Sequence, residues 1–405
     1  MDLLRRWTGH GHEVETPIAW VVNGHLGDYN SRLAIAGAFA SNPLTLDAEK
    51  ILNDAAADEP EILVQYIDAI VEKAVEVYAR SLKKIADEAG SKPNFLVTGI
   101  GLKRKIPFAD IKLDLSPLIS QAVKLAFGNE TTVIFCNNAR RTWGAIPECP
   151  YYDFLIAPAH LPKLDDPRVV ECVGIPHLIN ENVITSGVQE WEDRLSTFRD
   201  SEHVICVLLG GNIEREKFPF TAEQAQKLGR EINQFAIATN GSLLITNSHR
   251  TLPETSAAFM QEITGVPAFF HDWQKNKTDG NPYSAFLGFA HSLIVTIDSI
   301  SMMFEGAFMG KELYLVQPHA CVEPQHTSAA QLLIEQGFAR PFDGRRQKWE
   351  RPPFPNCVHI LRDTIQKRMA AAQAGNHVEM AQVIQPAPDI KRQAALVRLI
   401  PNTAT

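Results

Sequence analysis

Short, wholly apolar runs alternate with longer stretches in which apolar residues recur every three or four positions, through nearly the whole chain. The runs read as buried strands and the periodic stretches as amphipathic helices. Pro17 to Asn23 is the first strand, and a helix from about Tyr29 to Ala40 follows the glycine-bearing loop Gly24-His25-Leu26-Gly27-Asp28. A long helical insert covers about 59–89, with further strands at 94–98, 131–136, 152–157 and 169–173 and a helix at about 182–197. The series then restarts at Val204 to Leu209, again running into glycines, Gly210-Gly211. Helices at 221–238, 253–263 and 282–290 alternate with strands at 242–246, 266–270, 292–297 and 312–316, and two helices near 327–336 and 357–375 follow.

Strands that alternate with helices imply parallel sheets covered on both faces. Two series, each opening strand–glycine–helix, predict an α/β protein of two Rossmann-like, doubly wound domains facing a cleft. The expected division is 1–195 for the first domain, 196–355 for the second and 356–405 for closing helices and tail. A length of 405 residues holds two cores of this size.

Composition narrows the classes. Hydrophobic residues make up 45% and charged residues 21%, which excludes a disordered or fibrous chain. The net charge of −8 argues against a general nucleic-acid binder, although Lys103, Arg104 and Lys105 form a local basic spot. Six scattered cysteines without a C-x-x-C read as buried thiols of a reducing compartment. No apolar run approaches the ~18 residues of a membrane span, and the start lacks a signal-peptide core. The expectation is a cytoplasmic protein, with a peripheral place on the inner face of a membrane left open.

Ligands of open parallel sheets sit beyond the carboxyl ends of the strands, so the loops there carry the chemistry. Asp298-Ser299-Ile300-Ser301 joins a strand to a helix whose N–H groups suit a phosphate. Glu305, one turn further, can accept hydrogen bonds from a ribose diol; read blandly, Asp298 and Ser299 only cap the helix. Gly210 and Gly211 allow close backbone approach, or merely a tight turn. Ser248 and Arg250 follow another strand, where Arg250 suits a diphosphate. Asn281-Pro282-Tyr283 opens a helix, and Tyr283 is placed to flank a base. In the first half, His25 and Asp28 are candidate general bases or helix caps, with Gly24, Gly27 and Asn30 lining the same loop. Asn137, Arg140 and Arg141 follow one strand and His160 another, residues suited to an anionic acceptor. No G-x-G-x-x-G, Walker motif, G-x-S-x-G elbow or helical His pair appears, which disfavours NAD, FAD, a P-loop nucleotidase, an α/β-hydrolase and a metal site.

Ordered blocks carry a family resemblance: Gly24 to Asn30, YDFLIAP at 152–158 with His160 behind it, Gly210-Gly211-Asn212, SLLITNSHRT at 242–251, Asn281-Pro282-Tyr283, TIDSISMMFEGAFMGKELYL at 296–315 and GFARPFDG at 337–344. The chain resembles the mitochondrial-fission-type family of a plant protein and many bacterial relatives, and looks like a member of the wider GT-B glycosyltransferase group. The resemblance implies a second domain that binds a nucleoside diphosphate sugar, with Glu305 on the ribose and Ser299 to Ser301 on the diphosphate, and a first domain that binds the acceptor. The implied activity is metal-independent sugar transfer, without a cofactor, to a lipid-linked or surface-polysaccharide acceptor. A non-catalytic membrane-associated scaffold and a nucleotide-sugar epimerase are the alternatives. Two departures, Leu161-Pro162 after His160 and Asn212-Ile213-Glu214 after Gly211, bear on which donor and acceptor are used.

Overall fold

The computed structural model describes residues 17–24, 26–58, 67–105, 112–137, 143–144, 146–212, 219–276, 278, 280–317 and 323–373. They form two units: one holds the chain up to Pro176 together with the part from Cys357 on, the other runs from His177 to Asn356.

The first unit contains β1 (Ala19–Val22), α1 (Leu26–Phe39), β2 (Leu44–Leu46), α2 (Ala48–Asp58), α3 (Ile67–Ala89) and β3 (Phe95–Gly99). It continues through β4 (Lys103–Lys105), β5 (Lys112–Asp114), α4 (Leu115–Phe127), β6 (Thr132–Cys136), β7 (Phe154–Pro158) and β8 (Val169–Cys172). Six strands make one sheet in the order β2-β1-β3-β6-β7-β8, and its ladders are parallel. Period-2 alternation divides each strand between two cores. Trp20, Val22 and Leu96 face Tyr78, Leu82 and Leu118 of α3 and α4, whereas Ala19, Val21 and Val97 face Ile35 and Phe39 of α1. The basic spot at 103–105 is an edge of the small antiparallel β4–β5 pair.

The second unit contains α5 (Glu181–Leu195), β9 (His203–Leu208), α6 (Ala222–Ala238), β10 (Gly241–Thr246), α7 (Pro253–Gln261) and β11 (Ala268–His271). Then follow α8 (Tyr283–Phe289), β12 (Ser292–Thr296), α9 (Ile300–Phe308), β13 (Glu312–Val316), α10 (Pro324–Glu335) and the two-residue β14 (Arg340–Pro341). The sheet order is β11-β10-β9-β12-β13-β14, again with parallel ladders. Counted from its own first strand this is 3-2-1-4-5-6, the doubly wound order whose direction of winding reverses between β9 and β12. Helix starts follow local chemistry. Thr221 and Gln224 close a capping box on α6, and Asn180 caps α5 by accepting from the Val183 N–H.

The division between units falls before His177, not at 195, and the reason is packing. Helix α5 lies on α8: Gly187 stands where a Cβ would sit 2.1 Å from Ser284 Oγ, and a Cβ on Gly288 would sit 2.4 Å from Val188. Trp191 also meets Phe269 edge-on at 6.3 Å. The last helix, α11 (Cys357–Gln373), returns to the first unit, where Arg368 donates to the carbonyls of Pro167 and Val169 and Leu361 and Ile365 join the core under α1. The five described cysteines are buried free thiols; Cys321 lies outside the described residues. Among the described residues no helix is long and apolar enough to cross a membrane.

Buried histidines make this fold sensitive to acid. His203, at the start of β9, pairs its Nε2 with Ser292 Oγ at 2.7 Å. Burial first, and the Arg346 charge next, lower its pKa to about 4. The unfolded chain therefore takes up this proton near pH 6.5 and the folded chain only near 4, so stability falls as pH drops through that window. We expect His203 to account for about 1–2 kcal/mol of the loss between pH 7 and pH 5. Urea titrations at the two pH values should show a smaller drop in His203→Asn than in the unsubstituted protein.

Candidate functional site

In the second unit the strand order places a crevice beyond the carboxyl ends of β9 and β12. Three loops meet there: Leu209 to Asn212 after β9, Asn247 to Thr251 after β10, and Ile297 to Ser299 after β12. Asp298 ties them together. Its carboxylate is buried, accepts the Gly211 N–H at 2.6 Å through Oδ2 and lies 3.6 Å from Arg250 Nη2. Arg250 Nη2 also donates to the Asp298 carbonyl at 2.9 Å. Thr296 Oγ1 accepts the Gly210 N–H at 2.7 Å, and Thr251 Oγ1 donates to the Gly210 carbonyl. Burial raises the pKa of Asp298, with the Arg250 charge opposing.

This geometry gives the paired glycines a different reason from phosphate approach. A Cβ on Gly210 would fall 1.9 Å from Asp298 Oδ2, and one on Gly211 would fall 2.2 Å from the Arg250 carbonyl carbon. Both N–H groups are already spent on Thr296 and Asp298. Glycine is required because two other loops occupy the space of a side chain. Ser248 is likewise engaged: its N–H donates to Thr251 Oγ1 at 3.0 Å, and its Oγ accepts from the Arg250 N–H at 3.2 Å.

Helix α9 begins at this crevice. Ser299 is its N-cap, with Oγ accepting from the Met302 N–H at 3.5 Å, so the bland capping reading describes its side chain. The N–H groups of Ile300 and Ser301 belong to the first turn, where no intrahelical acceptor exists. The Ile300 side chain is buried in the core and Ser301 is half-buried. One turn on, half-buried Glu305 accepts a hydrogen bond from the Tyr283 hydroxyl at 2.5 Å. Burial raises the Glu305 pKa to about 7, with the Tyr283 hydroxyl opposing. Exposed Asn281 accepts the Tyr283 N–H at 3.1 Å and so fixes the start of α8.

Three residues here are not among the candidate site residues of the sequence. Thr251 and Thr296 are ordinary hydroxyls until the fold places them on Gly210. His326 lies in the first turn of α10, buried, with Nδ1 3.8 Å from Glu323 Oε2 and no hydrogen bond at that nitrogen. Burial, and then the Arg250 charge, lower its pKa to about 4. Arg250 Nε and Asp298 Oδ1 are also buried atoms without hydrogen-bond partners. A donor and an acceptor thus stand unspent at one crevice, which suits a polar ligand that can both accept and donate.

In the first unit, Gly24 follows β1, Gly27, Asp28 and Asn30 lie in the first turns of α1, Asn137 follows β6 and His160 follows β7. All are at carboxyl ends of strands or the helix start beyond one. Asn137 and His160 are buried, and Asp28 and Asn30 are half-buried. Asp28 is the third residue of α1, not its cap, where its charge suits the helix dipole. His25 and Arg140 lie outside the described residues. Among the described residues no group of three or more His, Cys, Asp or Glu could hold a metal ion.

Among solved structures, MurG of Acinetobacter baumannii is 11% identical at a TM-score of 0.42, over 94% of this chain and 99% of that one. The curated Mitochondrial fission protein ELM1 of Arabidopsis thaliana is 27% identical over 50% of this chain and 46% of its own length. The Uncharacterized protein RP120 of Rickettsia prowazekii (strain Madrid E) is 31% identical over 34% of this chain and 38% of its own. The chain thus spans less than half the length of either curated relative. The family model Mitochondrial fission ELM1 matches residues 146–363, more than half of the chain and all of the second unit. On that match, the chain belongs to the Mitochondrial fission ELM1 family.

Proposed function

We propose that the second unit binds a nucleoside diphosphate sugar and that the chain transfers the sugar as a metal-independent glycosyltransferase. The observation that carries the reading is Glu305. Its carboxylate is fixed by the Tyr283 hydroxyl at 2.5 Å, one turn into the helix that starts at the β9–β12 crevice. A carboxylate held there suits the two hydroxyls of a ribose, while Arg250 and the first-turn N–H groups of α9 suit the diphosphate. In the transfer step the anomeric carbon gains a bond to the acceptor oxygen and loses its bond to the diphosphate. Charge builds on the departing diphosphate, where Arg250 and α9 stabilise it without a metal. We assign removal of the acceptor proton to the first unit, among Asp28, His25 and His160, and the acceptor to a lipid-linked or surface-polysaccharide precursor met at the inner face of a membrane.

One observation favours the non-catalytic scaffold instead. The N–H groups of Gly210 and Gly211 are satisfied within the protein, as a purely structural loop would have them. Binding separates the two readings, because a scaffold has no need of a nucleotide. Calorimetric titration with uridine diphosphate should show binding. Glu305→Ala should weaken it about 10- to 100-fold, the equivalent of about 1.5–3 kcal/mol for a hydrogen bond to a charged group. Absence of binding to uridine, thymidine, guanosine or adenosine diphosphate would leave the scaffold reading.

The pH dependence gives a second check. Ribose hydroxyls donate best to the ionised carboxylate, and Glu305 ionises near pH 7. Affinity for uridine diphosphate should therefore rise about ten-fold between pH 6 and pH 8. In Glu305→Gln only the smaller change due to the diphosphate's own titration should remain. An equal pH profile in the two proteins would remove Glu305 from the ribose.

A further inference from the structure

The first unit has its own reversal of winding. Its sheet order, β2-β1-β3-β6-β7-β8, sends the chain to opposite sides of β1 and β3, so its crevice lies beyond the carboxyl ends of those two strands. One side chain spans that place. Arg32, on the second turn of α1, is fully buried. Its Nε donates to the carbonyl of Val22, the last residue of β1, at 2.8 Å, and its Nη1 donates to the carbonyl of Ile100, just past β3, at 2.8 Å. Its Nη2 has no hydrogen-bond partner.

A strut between two strand ends needs only the first two bonds. The third nitrogen is a buried, charged donor left unspent, which is costly unless something negative meets it. Asp28, one turn earlier on the same face of α1, contributes charge nearby, yet makes no bond to Nη2. The surroundings are shaped for this guanidinium: a Cβ on Gly24 would fall 2.2 Å from Nη2, and a Cβ on Gly99 would fall 3.4 Å from Nη1. Nη2 therefore lies against the bare backbone that follows β1, with no side chain of Gly24 in the way. Helix α1 begins at Leu26, so its first-turn N–H groups serve the same loop and add donors suited to a multiply charged oxyanion.

We propose that Arg32 anchors a phosphate-binding site at the β1–β3 crevice, taking the phosphate group of a small-molecule ligand after the Asn23–Gly24 backbone shifts aside. The site stands on the first unit alone. Only the role of its ligand as the acceptor, making that acceptor phosphorylated, rests on the transferase reading.

Hydrogen exchange on the full chain, read by mass spectrometry, tests this with millimolar inorganic phosphate against chloride of equal ionic strength. Phosphate, and not chloride, should slow exchange in peptides covering 19–34 and 95–102. Slowing confined to 296–306 would put the ion at the nucleotide crevice, overturning this proposal while leaving the transferase reading intact. No slowing in any of these peptides, or equal slowing by chloride, would also overturn it, and acetate acting as well as phosphate would overturn the choice of phosphate. Arg32→Lys keeps the charge and loses the fork, so it should weaken phosphate on the order of ten-fold with uridine diphosphate affinity unchanged. Unchanged phosphate affinity in that variant refutes the anchor; if the variant does not fold, the exchange of the unsubstituted protein decides.

Discussion

A single buried carboxylate organises the second unit's crevice. Asp298 sits after β12 with almost no solvent, where an isolated negative charge would be expensive. It is kept by the Gly211 N–H from the β9 loop and by Arg250 from the β10 loop. Three loops from three strands therefore share one charge balance. Remove the carboxylate and Arg250 loses its neighbour, Gly211 loses an acceptor, and the start of α9 loses the residue that precedes its cap. The bare Gly210 and the placement of Arg250 follow from housing that group, while the bare Gly211 makes room for the Arg250 backbone.

The general plan was legible because parallel strands buried on both faces leave wholly apolar runs, and the glycine loops mark where they end. Strands β1, β9, β10 and β12 stood out for that reason. The three-residue β2 and the two-residue β14 are too short to show a pattern, and the edge pair β4–β5 is set by pairing, not by hydrophobic content. For the candidate site, residue types stood out in the sequence and their geometry did not. Glu305 could be singled out, but its hydrogen bond to Tyr283 joins residues on different helices and follows no spacing rule. Gly210 and Gly211 were noticed for the right property, a missing Cβ, whereas the occupant of the vacant space is another loop. Arg32 gave no signal: an arginine on an amphipathic helix reads as surface until the sheet order brings it over two strand ends. The division between units was misplaced because α5 looks like the last helix of one series, although it packs on α8.

The two sheets solve the same burial problem with different orders of strands. In each, the point where the winding reverses is occupied by a charged side chain that hydrogen-bonds to backbone of a neighbouring loop, Asp298 in one and Arg32 in the other. The signs are opposite. Reversal points leave backbone groups at strand ends without ladder partners, and a charged side chain satisfies them more strongly than a neutral one.

The path of the chain has a consequence for its biosynthesis. Helix α11 completes the core beneath α1, yet it is separated from the rest of its unit by everything between His177 and Asn356. A ribosome therefore delivers the whole second unit before it delivers the piece that finishes the first. The inserted unit is continuous in sequence and has its strands in hand as soon as β14 emerges, while the first waits with the face of α1 uncovered. Prior folding of the insert would shorten the loop that must close when α11 returns, and so lower the entropy of that closure. Assembly of the first unit is in this way scheduled by the second, and a nascent chain stalled between 341 and 357 would present one finished domain beside one that is still open to solvent and to chaperones.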